Sequence, residues 1–169
     1  KRLFYRDNYE HLADALRHLD LLIQLRVMEF RQRTQTSEAK GASSQGLYIA
    51  HEFIDWLLCR EETRKSEPCG LTKLRHQLDT LQEEIEAKVA ESTERGIFLA
   101  LPRLAQRFAL SAFELQTVVI CLAPELHSKY DKLYAYMQDD ITRKKPSVDL
   151  VLDLLCDSEA SRWHARTLF

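Results

Sequence analysis

The densest run of side chains that could do chemistry lies near the C-terminal end of the sequence. Two adjacent carboxylates, Asp139 and Asp140, precede three consecutive cations, Arg143, Lys144 and Lys145, and a proline follows. Paired carboxylates can bind a metal ion, and an exposed cluster of cations can contact an acidic partner surface. Two acids at one helix end more commonly cap the helix and pair with nearby cations. These five residues are the candidate partner-binding site, and the alternative is an ordinary solvated turn.

No motif of a nucleotide-binding or hydrolytic enzyme occurs in the sequence. It contains no G-x-x-x-x-G-K-[ST] loop, no G-x-G-x-x-G turn and no G-x-S-x-G elbow. The six histidines lack cysteines or carboxylates at the spacing of zinc ligands. We therefore expect no catalytic residue, no metal site and no cofactor in this chain, which we predict is not an enzyme.

The composition favours a globular protein over a membrane protein or a general nucleic-acid binder. The net charge is -2, with 45% apolar and 30% charged residues, which is ordinary for a globular protein and does not favour nucleic-acid binding by the whole chain. No apolar run approaches the ~20 residues that span a bilayer, so we expect no membrane partner. Two of the four cysteines, Cys121 and Cys156, lie in apolar runs. They predict buried free thiols and a cytoplasmic location.

The first third of the sequence has the periodicity of a long helix. Asp7 or Asn8 is the predicted N-cap, and the helix is predicted to end near Arg33. Its apolar residues recur three or four positions apart, as on one helix face: Leu12, Leu16, Leu19, Ile23, Val27 and Phe30. Residues 34–46 are small and polar and predict a flexible loop. A further helix is predicted over residues 47–62.

A heptad pattern marks the helix that is predicted from Leu71 to about Arg95. Its apolar residues step by three and four: Leu71, Leu74, Leu78, Leu81 and Ile85. Val89 arrives one residue late for that register, which favours an intramolecular hairpin over a dimeric coiled coil. Gly96 predicts the end of the helix. Residues 1–95 are therefore predicted to form a long-helix hairpin or bundle.

Residues 96–169 predict a compact domain of short helices. Two of these helices meet at Ala109, and Ser111 with Glu114 forms a predicted capping box at the start of the second. This is the outline of a helix-turn-helix. The predicted fold class is mainly α, with a long helical hairpin followed by a winged-helix-like domain.

The remaining short helices are predicted from breaks and caps. Pro124 is expected to break the apolar helix, and another helix is expected from there to about Asp139. Tyr130 and Tyr134 lie four residues apart and predict a packing face. Two more helices are predicted, over residues 148–155 and after a cap at Asp157 or Ser158. Trp163 is predicted to anchor the core.

The second helix of the predicted helix-turn-helix tests the idea of DNA binding. Residues 111–122 contain no Lys or Arg, and only Gln116 suits a contact to phosphate or base. From Gly96 to Phe169 nine basic residues balance nine acidic ones. We expect this helix to belong to the core, so nucleic-acid binding is disfavoured. A DNA-binding regulator stays open as an alternative, as does an oligomerisation module built on residues 71–85.

Three short segments of the sequence resemble segments of a known protein family. They are FELQ at Phe113–Gln116, LAPEL at Leu122–Leu126 and Y-x-x-L-Y-A-Y-M-Q-D-D-x-T-R-K at Tyr130–Lys144. Together they resemble a segment that precedes the ATPase module in certain large bacterial AAA+ ATPases, some of which are encoded with contractile injection systems. In that family the segment is a variant winged-helix domain. Because the sequence starts with Lys1 rather than Met, we expect it to be part of a longer protein.

The resemblance implies a function for the chain. It would be a non-catalytic, N-terminal recognition or adaptor region of an AAA+ ATPase, binding a protein substrate or partner for remodelling. Its partners would be its own downstream AAA+ module and other proteins, within a hexameric parent. ATP and Mg would be bound only in the downstream module. The resemblance carries over no catalytic role, because the matching residues are mostly packing residues.

Overall fold

The computed structural model describes residues 2–38 and 70–169, and in these ranges it contains seven helices and no strand. The mainly α fold class is therefore confirmed. In chain order the helices are α1 (Asn8–Glu38), α2 (Leu71–Glu94), α3 (Ala100–Phe108), α4 (Ala112–Leu126), α5 (Lys129–Met137), α6 (Val148–Leu155) and α7 (Glu159–Arg166). Within these ranges no helix is long and apolar enough to cross a bilayer.

Helices α1 and α2 form an antiparallel hairpin, the most extensive helix pair in the described residues. Three polar contacts join α1 and the residues just before it to α2, in reversed order along the chain. The Tyr5 amide donates to Ser92 Oγ at 2.9 Å, the Lys88 ammonium to Asp14 at 2.6 Å, and the Arg75 guanidinium to Glu29 at 2.6 Å. The predicted long-helix hairpin is therefore confirmed for these two helices.

The predicted apolar stripe of α1 faces the core over most of its length. Leu19, Ile23 and Val27 are buried, whereas Phe30 is 60% exposed and the prediction that it is buried was wrong. On α2, Leu74 and Leu81 of the heptad pattern are buried within the chain. Because these leucines are already covered, they are not free to form a coiled-coil seam with a second copy.

The ends of α1 and α2 are set by local hydrogen bonds. Asp7 is the N-cap of α1, since its carboxylate accepts a hydrogen bond from the Glu10 amide at 3.0 Å. Helix α1 continues to Glu38, beyond the predicted end near Arg33. Gly96 has a φ of 72°. Its amide and that of Ile97 bond to the carbonyls of Thr93 and Ser92, which is the predicted glycine stop.

The other predictions for the central segment concern residues that lie outside the described ranges. They are the remainder of the predicted loop at 39–46 and the predicted helix over residues 47–62. The other two of the four cysteines, Cys59 and Cys69, lie outside these ranges as well.

One hydrophobic core joins α1 to the short C-terminal helices. Its buried residues come from α1, α4, α5 and α6, and they include Leu19, Ile23, Ile120, Leu133, Tyr134, Leu150 and Leu154. The packing face predicted around Tyr130 and Tyr134 is confirmed, because both rings are fully buried. The core therefore crosses the boundary that the sequence suggests after Arg95. The division into domains 1–95 and 96–169 stays a prediction.

The predicted break at Pro124 does not occur, because α4 continues through the proline to Leu126. Proline has no amide hydrogen, so the carbonyl of Ile120 loses its usual partner four residues later. The phenol of Tyr134 donates a hydrogen bond to that carbonyl at 2.8 Å. A buried side chain of α5 therefore replaces the missing backbone donor. The same burial raises the pKa of Tyr134, so the phenol stays protonated and able to donate.

Arg26 connects α1 to the C-terminal helices through a half-buried network. Its guanidinium donates to the Leu154 carbonyl at 3.1 Å, at the end of α6, and to the Asp157 carboxylate at 2.7 Å. It also pairs with Glu29 at 2.9 Å, and Glu29 in turn pairs with Arg75 of α2. Through Arg26 and Glu29 the network joins α1, α2, α6 and the segment that follows α6.

Two side chains predicted to be buried lie at the surface instead. Trp163 on α7 is 68% exposed, and Cys121 on α4 is exposed, although it is a free thiol as predicted. Cys156 is a free thiol that is half-buried. The apolar runs around the two cysteines have one face toward solvent, so a run alone does not settle which of its members are buried.

Candidate functional site

Helices α3 and α4 form the predicted helix-turn-helix. The turn between them passes through Ala109, whose φ of 51° is left-handed, and the Leu110 amide closes it onto the Ala105 carbonyl at 2.9 Å. Ser111 and Glu114 form the predicted capping box at the start of α4, with both reciprocal hydrogen bonds present. The sequence therefore predicted both the turn and the cap that orient α4.

The five candidate residues lie between α5 and α6, in a turn that we call the basic turn (residues 139–145). Arg143, Lys144 and Lys145 are all exposed, as predicted from the cost of burying unpaired cations. Asp139 is exposed and Asp140 is half-buried. The structure therefore brings the five residues into one surface segment, while their role in binding a partner stays a prediction.

Ion pairs occupy two of the three cations in the basic turn. Arg143 pairs with Asp140 at 3.3 Å, and Lys145 pairs with Glu125 near the end of α4. Hydrogen bonds from Thr142 lower the pKa of the Asp140 carboxyl, and the hydrogen bond to Glu125 raises the pKa of Lys145. Lys144 has neither an ion pair nor a side-chain hydrogen bond within the described part of the chain. It is the cation that an acidic partner can engage without first breaking an existing pair.

Gln138 holds the basic turn in place, and the sequence analysis did not single it out. Its side-chain nitrogen lies within hydrogen-bond distance of three carbonyl oxygens, those of Tyr134 at 3.1 Å, Arg143 at 3.0 Å and Lys145 at 3.1 Å. This amide ties the end of α5 to the backbone of the cationic residues. The sequence offers no local signal for such contacts, because they depend on how the chain folds back after α5.

Asp139 terminates α5. Its φ of 49° is left-handed, and its amide donates to the Tyr136 carbonyl at 3.1 Å. The next amide, that of Asp140, donates to the Ala135 carbonyl at 3.0 Å. This is the hydrogen-bond pattern with which a glycine usually ends a helix, with aspartate in its place. Within the described residues no three His, Cys, Asp or Glu side chains are grouped as a metal ion would require.

Comparison with family models gives one match, which covers nearly the whole chain. The family is described as "Winged helix domain, variant", and the match spans residues 3–169. The chain belongs to this family of variant winged-helix domains. Comparisons with curated proteins and with solved structures found no match.

This variant winged-helix domain differs from DNA-binding winged helices in the second helix of its helix-turn-helix and in the segment where a wing would form. Helix α4 occupies the position of the helix that would enter the major groove, yet it has no Lys or Arg, and Val119, Ile120 and Ala123 on it are buried. The segment where a wing could form strands, near residues 142–148, is instead the basic turn and the start of α6. Phosphate contacts of the usual kind therefore lack their donors on α4.

Replacing Asp139 by glycine tests the structural role of its left-handed backbone. We expect Asp139→Gly to raise the free energy of unfolding in this winged-helix domain by about 0.5–1 kcal/mol, because glycine adopts a positive φ without strain. Urea unfolding measures the change. Ala109→Gly, at the other left-handed position, is the matched control and should shift stability in the same direction. A loss of stability in Asp139→Gly would mean that the carboxylate itself stabilises the turn.

Proposed function

We propose that this variant winged-helix domain is a non-catalytic protein-recognition or adaptor module. The observation that carries the proposal is the chemistry of α4, which has no cation and contributes side chains to the core. Three consecutive exposed cations lie instead in the basic turn, where the Gln138 side chain bonds to the carbonyl oxygens of Arg143 and Lys145. A rigid, charged, exposed turn suits steering and register in a protein interface, because little conformational entropy is lost when a partner docks.

The finer proposal is that the chain is an N-terminal region of a bacterial AAA+ ATPase. The resemblance of the segments at Phe113–Gln116, Leu122–Leu126 and Tyr130–Lys144 supports it. On this proposal the chain works in the cytoplasm, in a hexameric parent that serves a contractile injection system. ATP and Mg bind in a downstream module, which hydrolyses ATP and acts on whatever this region holds. The chain itself binds no cofactor and catalyses no reaction.

The reading frame that encodes the chain tests the finer proposal directly. We expect the sequence encoded after Phe169 to contain a G-x-x-x-x-G-K-[ST] loop within an AAA+ module. The purified chain of 169 residues should show no ATP turnover. A frame with no nucleotide-binding motif after the chain would reject the ATPase assignment. ATP turnover by the purified chain would reject the non-catalytic role.

Duplex DNA is the probe that distinguishes protein recognition from the alternative of a DNA-binding regulator. We expect no tight binding of duplex DNA in a gel-shift titration at physiological salt. Affinity that falls steeply with salt, and that is lost in the double variant Arg143→Ala, Lys144→Ala, would favour the regulator.

Reversing one charge in the basic turn tests its role in recognition. Lys144→Glu should leave stability nearly unchanged, because this side chain makes no contact that the substitution breaks. It should weaken capture of a protein partner about threefold to tenfold, as expected for a charge at the edge of an interface. The measurement is quantitative mass spectrometry of proteins captured by tagged chains from the organism that encodes them.

The matched control for this reversal is Lys73→Glu. Lys73 is also exposed and has no ion pair in the described ranges, but it lies in the first turn of α2. Equal recovery of the same proteins by wild type and Lys144→Glu would place the contact elsewhere on the domain. Equal losses in both variants would show an effect of net charge rather than of the basic turn.

A further inference from the structure

An open groove lies between the first turns of α1 and the junction of α4 with α5. One face of α1 supplies Tyr9, Ala13 and Leu16, spaced four and three residues apart, with Leu12 beside them. Leu126, the last residue of α4, lies opposite. We call this surface the α1–α4 groove. The sequence patterns predict no binding role for these residues. They place Leu12 and Leu16 in the apolar stripe of α1, which was predicted to face the core.

The apolar walls of the α1–α4 groove are unusually exposed. Tyr9 is 79% exposed and Leu126 is 44% exposed, while Leu12 and Leu16 between them are half-buried. An exposed leucine alone needs no explanation, but large apolar side chains that line one concave surface mark interaction sites. The groove therefore has the form of a pocket for an anchoring side chain.

The charges along the α1–α4 groove leave one cation uncompensated. Three charged residues line it, and two of them neutralise each other, since Lys129 donates to Asp20 at 2.7 Å. Tyr130 also donates to Asp20, at 2.9 Å. The third, Arg17, is exposed and has no ion pair or hydrogen bond in the described chain. An occupant with a carboxylate beside Arg17 would complete the charge balance of the groove.

The size of the α1–α4 groove limits what it can hold. Its volume is about 280 Å³, just under the range of ~300–1,000 Å³ that is typical of small-molecule sites. That volume suits one large apolar side chain and its neighbour from a peptide better than a whole cofactor. Interfaces often concentrate their binding energy in such anchors, which are frequently aromatic.

The α1–α4 groove and the basic turn each contact one of the last two residues of α4. Glu125, which pairs with Lys145 of that turn, directly precedes Leu126 of the groove. Lys144 in the turn and Arg17 in the groove are both cations without partners in the described ranges. Both therefore favour an occupant that carries negative charge.

We infer that the α1–α4 groove binds a peptide segment of a protein partner, with one bulky apolar side chain next to an acidic residue. The apolar side chain fills the space between Tyr9, Leu16 and Leu126, and the carboxylate pairs with Arg17. This inference rests on the proposed function of protein recognition and deepens it, because it names the chemistry of the segment that is recognised.

A display selection on the intact chain tests the inference. The probe is a phage library of random 12-residue peptides, and the selected peptides are then synthesised and titrated by fluorescence anisotropy. We expect an enriched pattern of Trp, Phe or Leu adjacent to Asp or Glu. Selection of peptides without such a pair, or of none that bind in solution, would overturn the inference.

Groove variants then decide where the selected peptides bind. Ala13 is exposed, so Ala13→Trp fills the groove without disturbing the core, and Arg17→Glu removes the complementary charge. Each should weaken binding at least about tenfold. The matched control, Arg103→Glu, changes another exposed arginine without an ion pair, on α3 outside the groove, and should bind as wild type. Thermal unfolding of each variant verifies that the fold is intact.

Two outcomes would overturn the groove while leaving protein recognition in place. In the first, the peptides bind Ala13→Trp as tightly as wild type, which would place recognition on another face. In the second, sedimentation shows that the wild-type chain forms a dimer that Ala13→Trp dissociates, which would make a second copy the occupant. Failure of the proposed function would be seen separately, as tight binding of duplex DNA.

Discussion

Replacing Arg26 by methionine is expected to lower the free energy of unfolding by about 3 kcal/mol. The side chain is only 13% exposed, and its partner Glu29 is 11% exposed. Methionine keeps much of the volume but leaves the Leu154 carbonyl without the donor that now lies at 3.1 Å. It also removes one of the two cations that pair with Glu29 and leaves only Arg75, whose side chain is 60% exposed. Leaving a buried polar group without a partner costs more free energy than a satisfied hydrogen bond contributes to stability. We therefore expect a large loss.

Urea unfolding of two further variants shows which part of the Arg26 network matters. Arg26→Lys keeps the charge but cannot donate to Leu154, Asp157 and Glu29 together, so we expect an intermediate loss. Arg166→Met removes a pair with Asp149 in which the side chains are 48% and 67% exposed. Its cost should stay below about 1 kcal/mol because solvent screens such pairs. If Arg26→Met lowers the free energy of unfolding by no more than Arg166→Met does, the Arg26 network contributes no more to stability than an exposed ion pair.

Local signals in the sequence located three of the helix boundaries. The capping box at Ser111, the glycine stop at Gly96 and the start of α6 at Val148 all lie where the sequence placed them. These features depend on residues within one helical turn, so the sequence contains all the required information. The antiparallel hairpin also followed from local spacing, since the interrupted heptad pattern of α2 argued against a long coiled coil.

The contacts that connect distant elements could not be predicted from such patterns. Arg26 lies on a long amphipathic helix and reads as an ordinary solvent-facing cation, yet its partners Leu154 and Asp157 follow more than 120 residues later. Only the packing of α6 against α1 brings them together. The misplacement of Trp163 has a similar cause, because its aromatic character suggests burial while the orientation of α7 exposes it.

The candidate site was predicted in part. Its exposure followed from the cost of burying three cations, and the structure confirms it. The pairing of Lys145 with Glu125 and the hydrogen bonds of Gln138 required knowledge of where α4 ends relative to the basic turn. The role of Asp139 could have been found from sequence, since Asp tolerates the left-handed conformation that follows a helix. The α1–α4 groove carried no sequence signal of its own.

The pairing of Tyr134 with the backbone beside Pro124 gives the second large expected effect. Tyr134→Phe should lower the free energy of unfolding by about 1–3 kcal/mol, because the Ile120 carbonyl then has no donor in a fully buried setting. Phenylalanine keeps the ring, so the loss isolates the hydrogen bond of 2.8 Å. Urea unfolding at neutral pH measures it. Tyr136→Phe, on the same helix but half-buried, should cost less.

A double-mutant cycle tests whether Tyr134 replaces the donor that proline removes. Pro124→Ala restores an amide hydrogen four residues after Ile120, where it can bond to the same carbonyl. The Tyr134→Phe change should therefore cost about 1 kcal/mol less in the Pro124→Ala background than in wild type. Because each variant is compared within its own background, the small cavity left by Pro124→Ala cancels from the difference. Strictly additive losses would show that the phenol and the proline act independently, and that α4 tolerates the missing bond for another reason.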